Sequence, residues 1–298
     1  MPAPLCLLTV HAHPDDEASK GPATVARYHE EGVRTVLVCC TGGEEGDILN
    51  PAMDTPEVRA DIAAVRRREL DDAAAVIGYD AVVMLGYRDS GMPDTEANAN
   101  PSCFARAPLE EAVSRLVAVI RRERPQVVVT YADDQQGYPH PDHLRVHEIS
   151  MIAFDAAGDA SAFPEAGEAF GPLKLYYVGW SAARILAMHE KFVELGLESP
   201  FDESWRERAA KQVRPFTTAV DIADYAEVRR QALLAHATQV DPTSPFWFGL
   251  PPEVARTIHP VDEYVLARSK VGPVPGEGGG DAVVEDDLFA GVRHLAAR

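Results

Sequence analysis

Two short segments of the chain carry metal-binding residue types at a spacing that lets them converge: His13-Pro-Asp-Asp16 and His140-Pro-Asp-His143. A histidine and a carboxylate three apart, on a turn leaving a strand, can aim at one point. His13 offers an imidazole nitrogen, Asp16 an anionic oxygen, and His143 a third donor from the second segment. If Asp142 caps the helix that follows, His143 lies in its first turn, where the helix dipole disfavours imidazolium and keeps the ring a competent ligand. Two nitrogens and one oxygen with a vacant fourth position are the pattern of a catalytic zinc site. The expectation is one Zn2+ per chain, with other divalent ions as substitutes. Such an ion brings the pKa of a water to ~7 and so supplies a nucleophile at neutral pH.

Asp15 is left over once Asp16 binds the ion, and it sits where it can take the water's proton. His140 can hold charge against a developing oxyanion or protonate a leaving amine, and Tyr138 can donate to the same oxyanion. Purely structural readings of these residues stand beside the chemical ones. Asp15 or Asp16 can cap a helix starting near Ser19, His143 can be a capped surface residue, and Tyr138 a packed loop tyrosine. His147 shares a helical face with His143 and is either a ligand or a neighbour of one. In Thr41-Gly-Gly-Glu-Glu-Gly-Asp47 the glycines admit close backbone approach, while the carboxylates repel phosphate and can accept from sugar hydroxyls. The alternative there is a solvated acidic turn. Arg66 and Glu69 form an i,i+3 pair, either a surface salt bridge or a part of the site reached from the inner edge of a helix.

These clusters have a common placement. Continuous apolar runs at Leu5–Val10, Arg34–Cys40, Ala81–Leu85, Gln126–Tyr131 and Leu175–Val178 read as parallel strands buried on both faces. Helical patterns cover Ser19–Glu31, Pro56–Ile77 (Thr55 as cap; Val58, Ile62, Val65, Ala73 and Ile77 inward), Leu109–Arg122 and His143–Ala157. The alternation predicts an α/β fold, a Rossmann-like, open, mostly parallel sheet with helices on both faces. His11–Lys20, Thr41–Asp47, Arg88–Ser90 and Tyr138–His147 each follow the C-terminal end of a strand, the edge where such sheets bind ligands. Residues 1–180 are expected to form this catalytic domain. Helical signals at Ala182–Glu194 and Tyr225–His236, with Phe216–Val220 strand-like between them, suggest a smaller α/β lobe over 181–270. Residues 271–298 read as a flexible linker, Val274–Gly280, and a tail holding Leu288 and Phe289.

The 298 residues are 46% hydrophobic and 25% charged, which suits a compact folded chain. With 28 basic and 47 acidic residues the net charge is −19, which disfavours nucleic acid and anionic membranes as partners. No apolar run approaches the ~20 residues of a spanning helix. Without a basic n-region the N-terminus does not read as a signal peptide, so a cytoplasmic location is expected. Four scattered cysteines read as buried, reduced thiols, with Cys39 and Cys40 on opposite faces of one strand.

His11-Ala-His13-Pro-Asp-Asp16-Glu17 and His140-Pro-Asp-His143 together resemble the paired signature of the LmbE-like zinc deacetylases. The resemblance implies zinc at His13, Asp16 and His143, Asp15 as general base, and Arg66 and Asp89 holding a sugar. It narrows to the branch that cleaves mycothiol S-conjugates through Ser19-Lys20-Gly21, Gly46–Asp54, Gly137–His143, Lys174-Leu-Tyr-Tyr177, His236-Ala-Thr-Gln239 and Leu288-Phe-Ala-Gly291. That branch implies hydrolysis of the amide joining an S-substituted N-acetylcysteine to glucosaminyl-inositol, in detoxification or on thio-sugar intermediates of natural-product pathways. The sister branch implies deacetylation of N-acetylglucosaminyl-inositol. Lys20, where the sister branch has a small polar residue, favours the first and is placed to meet the cysteinyl side of the amide. Asp47 stands where the branch usually has glutamate, which shortens its reach toward a sugar or inositol hydroxyl.

Overall fold

A computed structural model of the protein describes residues 4–134, 138–210, 214–272 and 285–296. Strand and helix alternate from the start: β1 (Cys6–His11), α1 (Pro22–Glu30), β2 (Arg34–Thr41), α2 (Ile62–Ile77), β3 (Ala81–Tyr87), α3 (Leu109–Glu123), β4 (Val127–Thr130), α4 (Pro141–Ala156) and β5 (Lys174–Gly179). Then come α5 (Ala182–Glu194), β6 (Thr218–Asp221), α6 (Ala226–Ala235) and β7 (Val261–Ser269). The seven strands lie in the order β3-β2-β1-β4-β5-β7-β6. β1 to β5 are parallel, and β7 and β6 add antiparallel at one edge. This is the open, mostly parallel α/β sheet that the apolar runs predict.

Burial explains why those runs do not alternate. Every residue of β1 and β4 is buried, because helices cover both sheet faces. On one face Leu8, Val10, Val36 and Val38 pack against Val113, Leu116, Ile120, Val146 and Ile149 of α3 and α4. On the other, Leu7, Val127, Val129 and Tyr176 meet Ala23, Val25 and Tyr28 of α1 and Leu233 of α6. Cys39 and Cys40 go to different faces, and all four cysteines are buried and free. From β1 the chain steps outward through β2 to β3, then returns to the other side of β1 with β4. That reversal makes the β1–β4 pair a topological switch point, where the edge opens into a crevice. The two metal-type segments leave these two strands, whose register pairs Leu7 with Val127.

Three expectations are corrected. The helix expected over Pro56–Ile77 is two: Thr55 does cap Pro56–Ala60, accepting from the Val58 N–H at 3.3 Å, but Asp61 leaves helical dihedrals (φ −145°, ψ 50°) and α2 starts afresh. The break resets the helical phase, so Arg66, Glu69, Leu70, Ala73, Ala74 and Ile77 face inward while Val58, Ile62 and Val65 are only half-buried. The helix expected from Ser19 starts at Pro22, after one tight turn over Asp16–Ser19. Between them Gly21 takes a left-handed φ of +81°, and an added Cβ would lie 2.5 Å from the Tyr264 hydroxyl.

The C-terminal region does not stand apart. The strand expected over Phe216–Val220 is β6, and β6 and β7 extend the existing sheet beyond β5. Ile185, Phe192, Phe201 and Leu250 form a small apolar cluster beside it. Val274–Gly280 lies outside the described residues. The tail beyond it is not free: Leu288, Phe289 and Val292 are fully buried against Tyr28, whose hydroxyl bonds Asp287 at 2.8 Å. Glu285 takes Lys174 and the Tyr176 hydroxyl, each at 2.7 Å. Among the described residues no helix is long and apolar enough to cross a membrane. Phe289→Ala should therefore lower stability by about 3–5 kcal/mol, the cost of emptying an aromatic core position. A urea midpoint equal to that of the parent protein would show that the tail is not part of the core.

Candidate metal centre

The four clusters named from the sequence meet at the C-terminal ends of β1 to β4. From the turn after β1, His13 Nδ1 lies 3.5 Å from Asp16 Oδ2, and from α4 His143 Nε2 lies 3.4 Å from the same oxygen. All three residues are buried, with donor atoms within 4.8 Å of one another. Two imidazole nitrogens and one carboxylate oxygen facing a common point fit a divalent ion. His147 is not in this group. Its Nδ1 bonds the Tyr131 carbonyl at 2.9 Å and its ring faces Tyr177.

Asp142 does not cap α4 as expected. The cap is His140, whose Nδ1 accepts from the Asp142 N–H at 3.2 Å. The Asp142 carboxylate, with no exposure to solvent, instead accepts from the Ser90 N–H at 2.9 Å, from the Ser90 hydroxyl, and from His13 Nε2 at 3.2 Å. Pinning Nε2 as the donor leaves Nδ1 to face Asp16 and His143, the arrangement that carboxylates impose on metal-binding histidines. Asp89 lies beside it: Oδ1 is 3.6 Å from His13 Nε2 and accepts from the Gly91 N–H at 2.8 Å. Asp89 is thus a buried wall of the site. Burial alone would push the His13 pKa down, yet hydrogen bonds to Asp142, Asp16 and Asp89 outweigh it and hold it well above the usual value.

Asp15 carries the conformational cost of the turn, at φ +114° and ψ −24°. Its side chain is 32% exposed and accepts from Arg66 Nη2 at 3.0 Å. Enclosure raises its pKa, the Arg66 charge opposes that, and the Asp16 charge adds to it, leaving the group raised. Arg66 is not paired with Glu69. Its guanidinium also bonds the carbonyls of Gly43 and Pro14, so it ties the Thr41–Asp47 loop to the metal turn from beneath. Gly43 makes this possible: at φ +66°, an added Cβ would fall 2.5 Å from Arg66 Cζ. Glu69 accepts instead from the Thr238 N–H at 2.8 Å and hydroxyl at 2.6 Å.

Around the mouth, Tyr138 is 50% exposed, and its ring lies 5.9 Å from that of His140 and 5.6 Å from that of His143. Gly137, beside it, lies outside the described residues. Burial, then the neighbouring His13 and His143, lowers His140 to about 4. With Nδ1 accepting, its remaining proton is on Nε2. Lys20 donates to Asp16 Oδ1 while keeping 27% of its side chain exposed. Asp47 is exposed at the rim, held through its carbonyl by Gln239 Nε2 at 3.1 Å. Sequence reasoning missed the Asp142–His13 and Ser90 contacts, although Asp142 sits inside a motif already singled out. It also missed Tyr131, which stacks on His143 at 4.6 Å and directly follows β4 with no local signal.

The geometry makes two expectations about metal. Purified protein should hold about one divalent ion per chain, lost in His13→Ala, Asp16→Ala and His143→Ala and kept in His147→Ala, as metal analysis reads directly. Full occupancy in His143→Ala would remove His143 from the ligand set. Because the raised His13 binds its proton until pH climbs above that raised pKa, metal must displace it, so affinity should fall as pH falls. Zinc titration at pH 7 in buffers of different ionisation enthalpy should report release of about one proton. Heats independent of buffer would contradict this.

Comparison with known proteins places this geometry. The family model for PIG-L, GlcNAc-PI de-N-acetylase, matches residues 8–154, the span holding every metal-type donor above. Over 301 residues the chain is 44% identical to the mycothiol S-conjugate amidase of Streptomyces coelicolor, covering 98% of this chain and 99% of that one. It is 40% identical to the 1D-myo-inositol 2-acetamido-2-deoxy-alpha-D-glucopyranoside deacetylase of Rhodococcus erythropolis, over 96% of this chain and 97% of the other. The fold is shared with the 4-carboxy-2-hydroxymuconate hydratase of Pseudomonas putida, at a TM-score of 0.59 and 17% identity, over 90% of this chain and 98% of that one. That likeness shows the fold alone, and it warns that this fold does not dictate one reaction. Full-length identity of 44% is decisive for kinship: the chain belongs to the LmbE-like, GlcNAc-PI de-N-acetylase family of amide-cleaving enzymes, together with the mycothiol S-conjugate amidases.

Proposed function

We propose that the chain is a zinc amidase that hydrolyses the amide between an S-substituted N-acetylcysteine and glucosaminyl-inositol in mycothiol S-conjugates. The observation that carries this reading is Lys20, whose ammonium stands beside the proposed ligand Asp16 and remains partly open to the crevice. A divalent ion held by His13, Asp16 and His143 would supply Lewis-acid polarisation of the amide carbonyl and acidify a water.

The chain's own groups do the rest. Asp15 takes the proton of the attacking water, and its raised pKa brings it closer to the working pH, as a general base requires. The water oxygen bonds the amide carbon, and charge moves to the carbonyl oxygen. His140 Nε2–H and the Tyr138 hydroxyl stand at the mouth as donors to that oxygen. When the C–N bond breaks, the glucosamine nitrogen needs a proton. Asp15 holds one, whereas His140, lowered to about 4, is neutral near pH 7 and keeps its single N–H for donation. Asp47 at the rim accepts from a sugar or inositol hydroxyl. Arg66 and Asp89, both buried, hold the walls that the sugar would meet.

The alternative within the family is deacetylation of N-acetylglucosaminyl-inositol, and both substrates tested side by side on metal-saturated protein separate the two. An acetyl group presents only a methyl toward Lys20 and gains nothing from it. Lys20→Ser should cut kcat/KM for a mycothiol S-conjugate by roughly ten- to hundredfold, the value of one charge-assisted hydrogen bond of about 1.5–3 kcal/mol, and should spare acetyl removal. Saturating metal matters here because Lys20 also contacts Asp16. Equal losses on both substrates would favour the deacetylase. Asp15→Asn should keep its metal and lose roughly 10²–10⁴ in kcat, and near-normal turnover would reduce Asp15 to a structural cap.

A further inference from the structure

Glu17 and His236 form an ion pair sealed inside the protein, and the reaction described above does not use it. Both side chains have no solvent exposure, and His236 Nε2 contacts Glu17 Oε1 across 219 residues of sequence. The other oxygen, Glu17 Oε2, accepts from the Asp15 backbone N–H at 2.9 Å. We propose that Glu17 and His236 are positioning residues that hold Asp15 in its strained conformation and so fix the direction of its carboxylate. The inference rests on the reading of Asp15 as the general base.

Three observations support it. Asp15, at φ +114° and ψ −24°, is where side-chain-bearing residues avoid lying, so something outside the residue must hold it. Its carbonyl is taken by the N–H groups of Ala18 and Ser19, each at 3.1 Å, its carboxylate by Arg66, and its N–H by Glu17. Next, the pair is chemically specific. A carboxylate accepts from both sides, and the amide of glutamine cannot, so one group serves His236 and the Asp15 N–H together. An apolar pair would fill the same volume at less desolvation cost but would leave that N–H without an acceptor. Finally, the segment that brings His236 is itself anchored to the site. Thr238 bonds Glu69 on α2, its carbonyl accepts from the Leu49 N–H at 2.8 Å, and Gln239 holds the Asp47 carbonyl. One segment after α6 thereby braces the metal turn, the helix carrying Arg66 and the loop carrying Asp47.

The test uses the full-length, metal-saturated protein and whichever of the two amide substrates the parent protein cleaves faster. Glu17→Gln should lower kcat ten- to hundredfold, as loss of such supporting contacts does, with KM within about twofold and metal content unchanged. In an Asp15→Asn background the same change should cost nothing further, because residues acting as a unit are not additive. His236→Gln, which still donates to Glu17, should stay within about threefold of the parent kcat, and His236→Leu should fall as Glu17→Gln does. These two variants read the same cycle if Glu17→Gln does not fold. An equal loss in both backgrounds, or a change confined to KM, would overturn the proposal. A second measurement needs no substrate: Glu17→Gln should lower Tm less in an Asp15→Gly background, since glycine adopts φ +114° without strain. Equal drops in Tm would overturn the proposal even if the amidase reading held, and unequal drops would support it even if that reading failed.

Discussion

A carboxylate with no access to water, Asp142, sits where three separate loops must agree. It leaves the first turn of α4, takes Ser90 from the loop after β3, and takes His13 from the turn after β1. Burying an anion this deeply is unfavourable unless its lone pairs are filled. Here they are filled by groups on the turns after β1 and β3, strands that pair in register with β4 and β2. The same contacts assign the proton on His13 to Nε2, so the demand for satisfied hydrogen bonds also sets which nitrogen faces Asp16 and His143.

The electrostatics follow from that constraint. Asp16, Asp89 and Asp142 surround His13 within 3.6 Å, in a protein whose net charge is already −19. Such a cluster needs positive charge. Lys20 on Asp16 supplies part of it, and the three carboxylates favour a proton on His13. A divalent ion and that proton therefore compete for one vacancy of charge. The three histidine rings pack within 4.6–5.3 Å of one another, so charge on His13 holds down His140 and, after burial and the Asp16 carboxylate, acts on His143 too.

The periodicity of apolar residues made the sheet and its functional edge legible, because strands buried on both faces have little freedom in composition. The convergence of His13, Asp16 and His143 was legible for a related reason: few residue types bind metal, and these fall together after two strands. The misreadings have a different origin. The sequence left Arg66 open between a surface pair with Glu69 and a part of the site, because its partners include backbone carbonyls at Gly43 and Pro14, which no side-chain pattern records. The break at Asp61 was hidden because the sequence on either side favours helix, and only the inward demand on Arg66 selects the new phase. The tail was given no place in the fold because its glycine-rich lead-in carries no fold signal, although Leu288 and Phe289 complete a core begun at Tyr28. His236 acts across 219 residues, beyond the reach of any local period.

A fold that also carries a hydratase settles the scaffold and leaves the chemistry to the crevice. What separates this crevice from a bare metal cradle is the treatment of two neighbouring carboxylates. Asp16 is neutralised by Lys20 and faces two histidines, which hold it well below the usual carboxylate range despite its burial. Asp15, one residue earlier, is turned out of regular backbone geometry toward the opening and has its pKa raised. Adjacent residues of one type thus receive opposite protonation preferences. That is the condition for one to remain an anionic ligand while the other accepts and returns a proton. Enclosure and the Asp16 charge raise Asp15, and Lys20 with the two histidines lowers Asp16. On the proposed reading of Asp15 as general base, its strain is tied to the chemistry, and Glu17, which bonds its N–H from behind, and His236, which pairs with Glu17, would belong to the site without meeting a substrate.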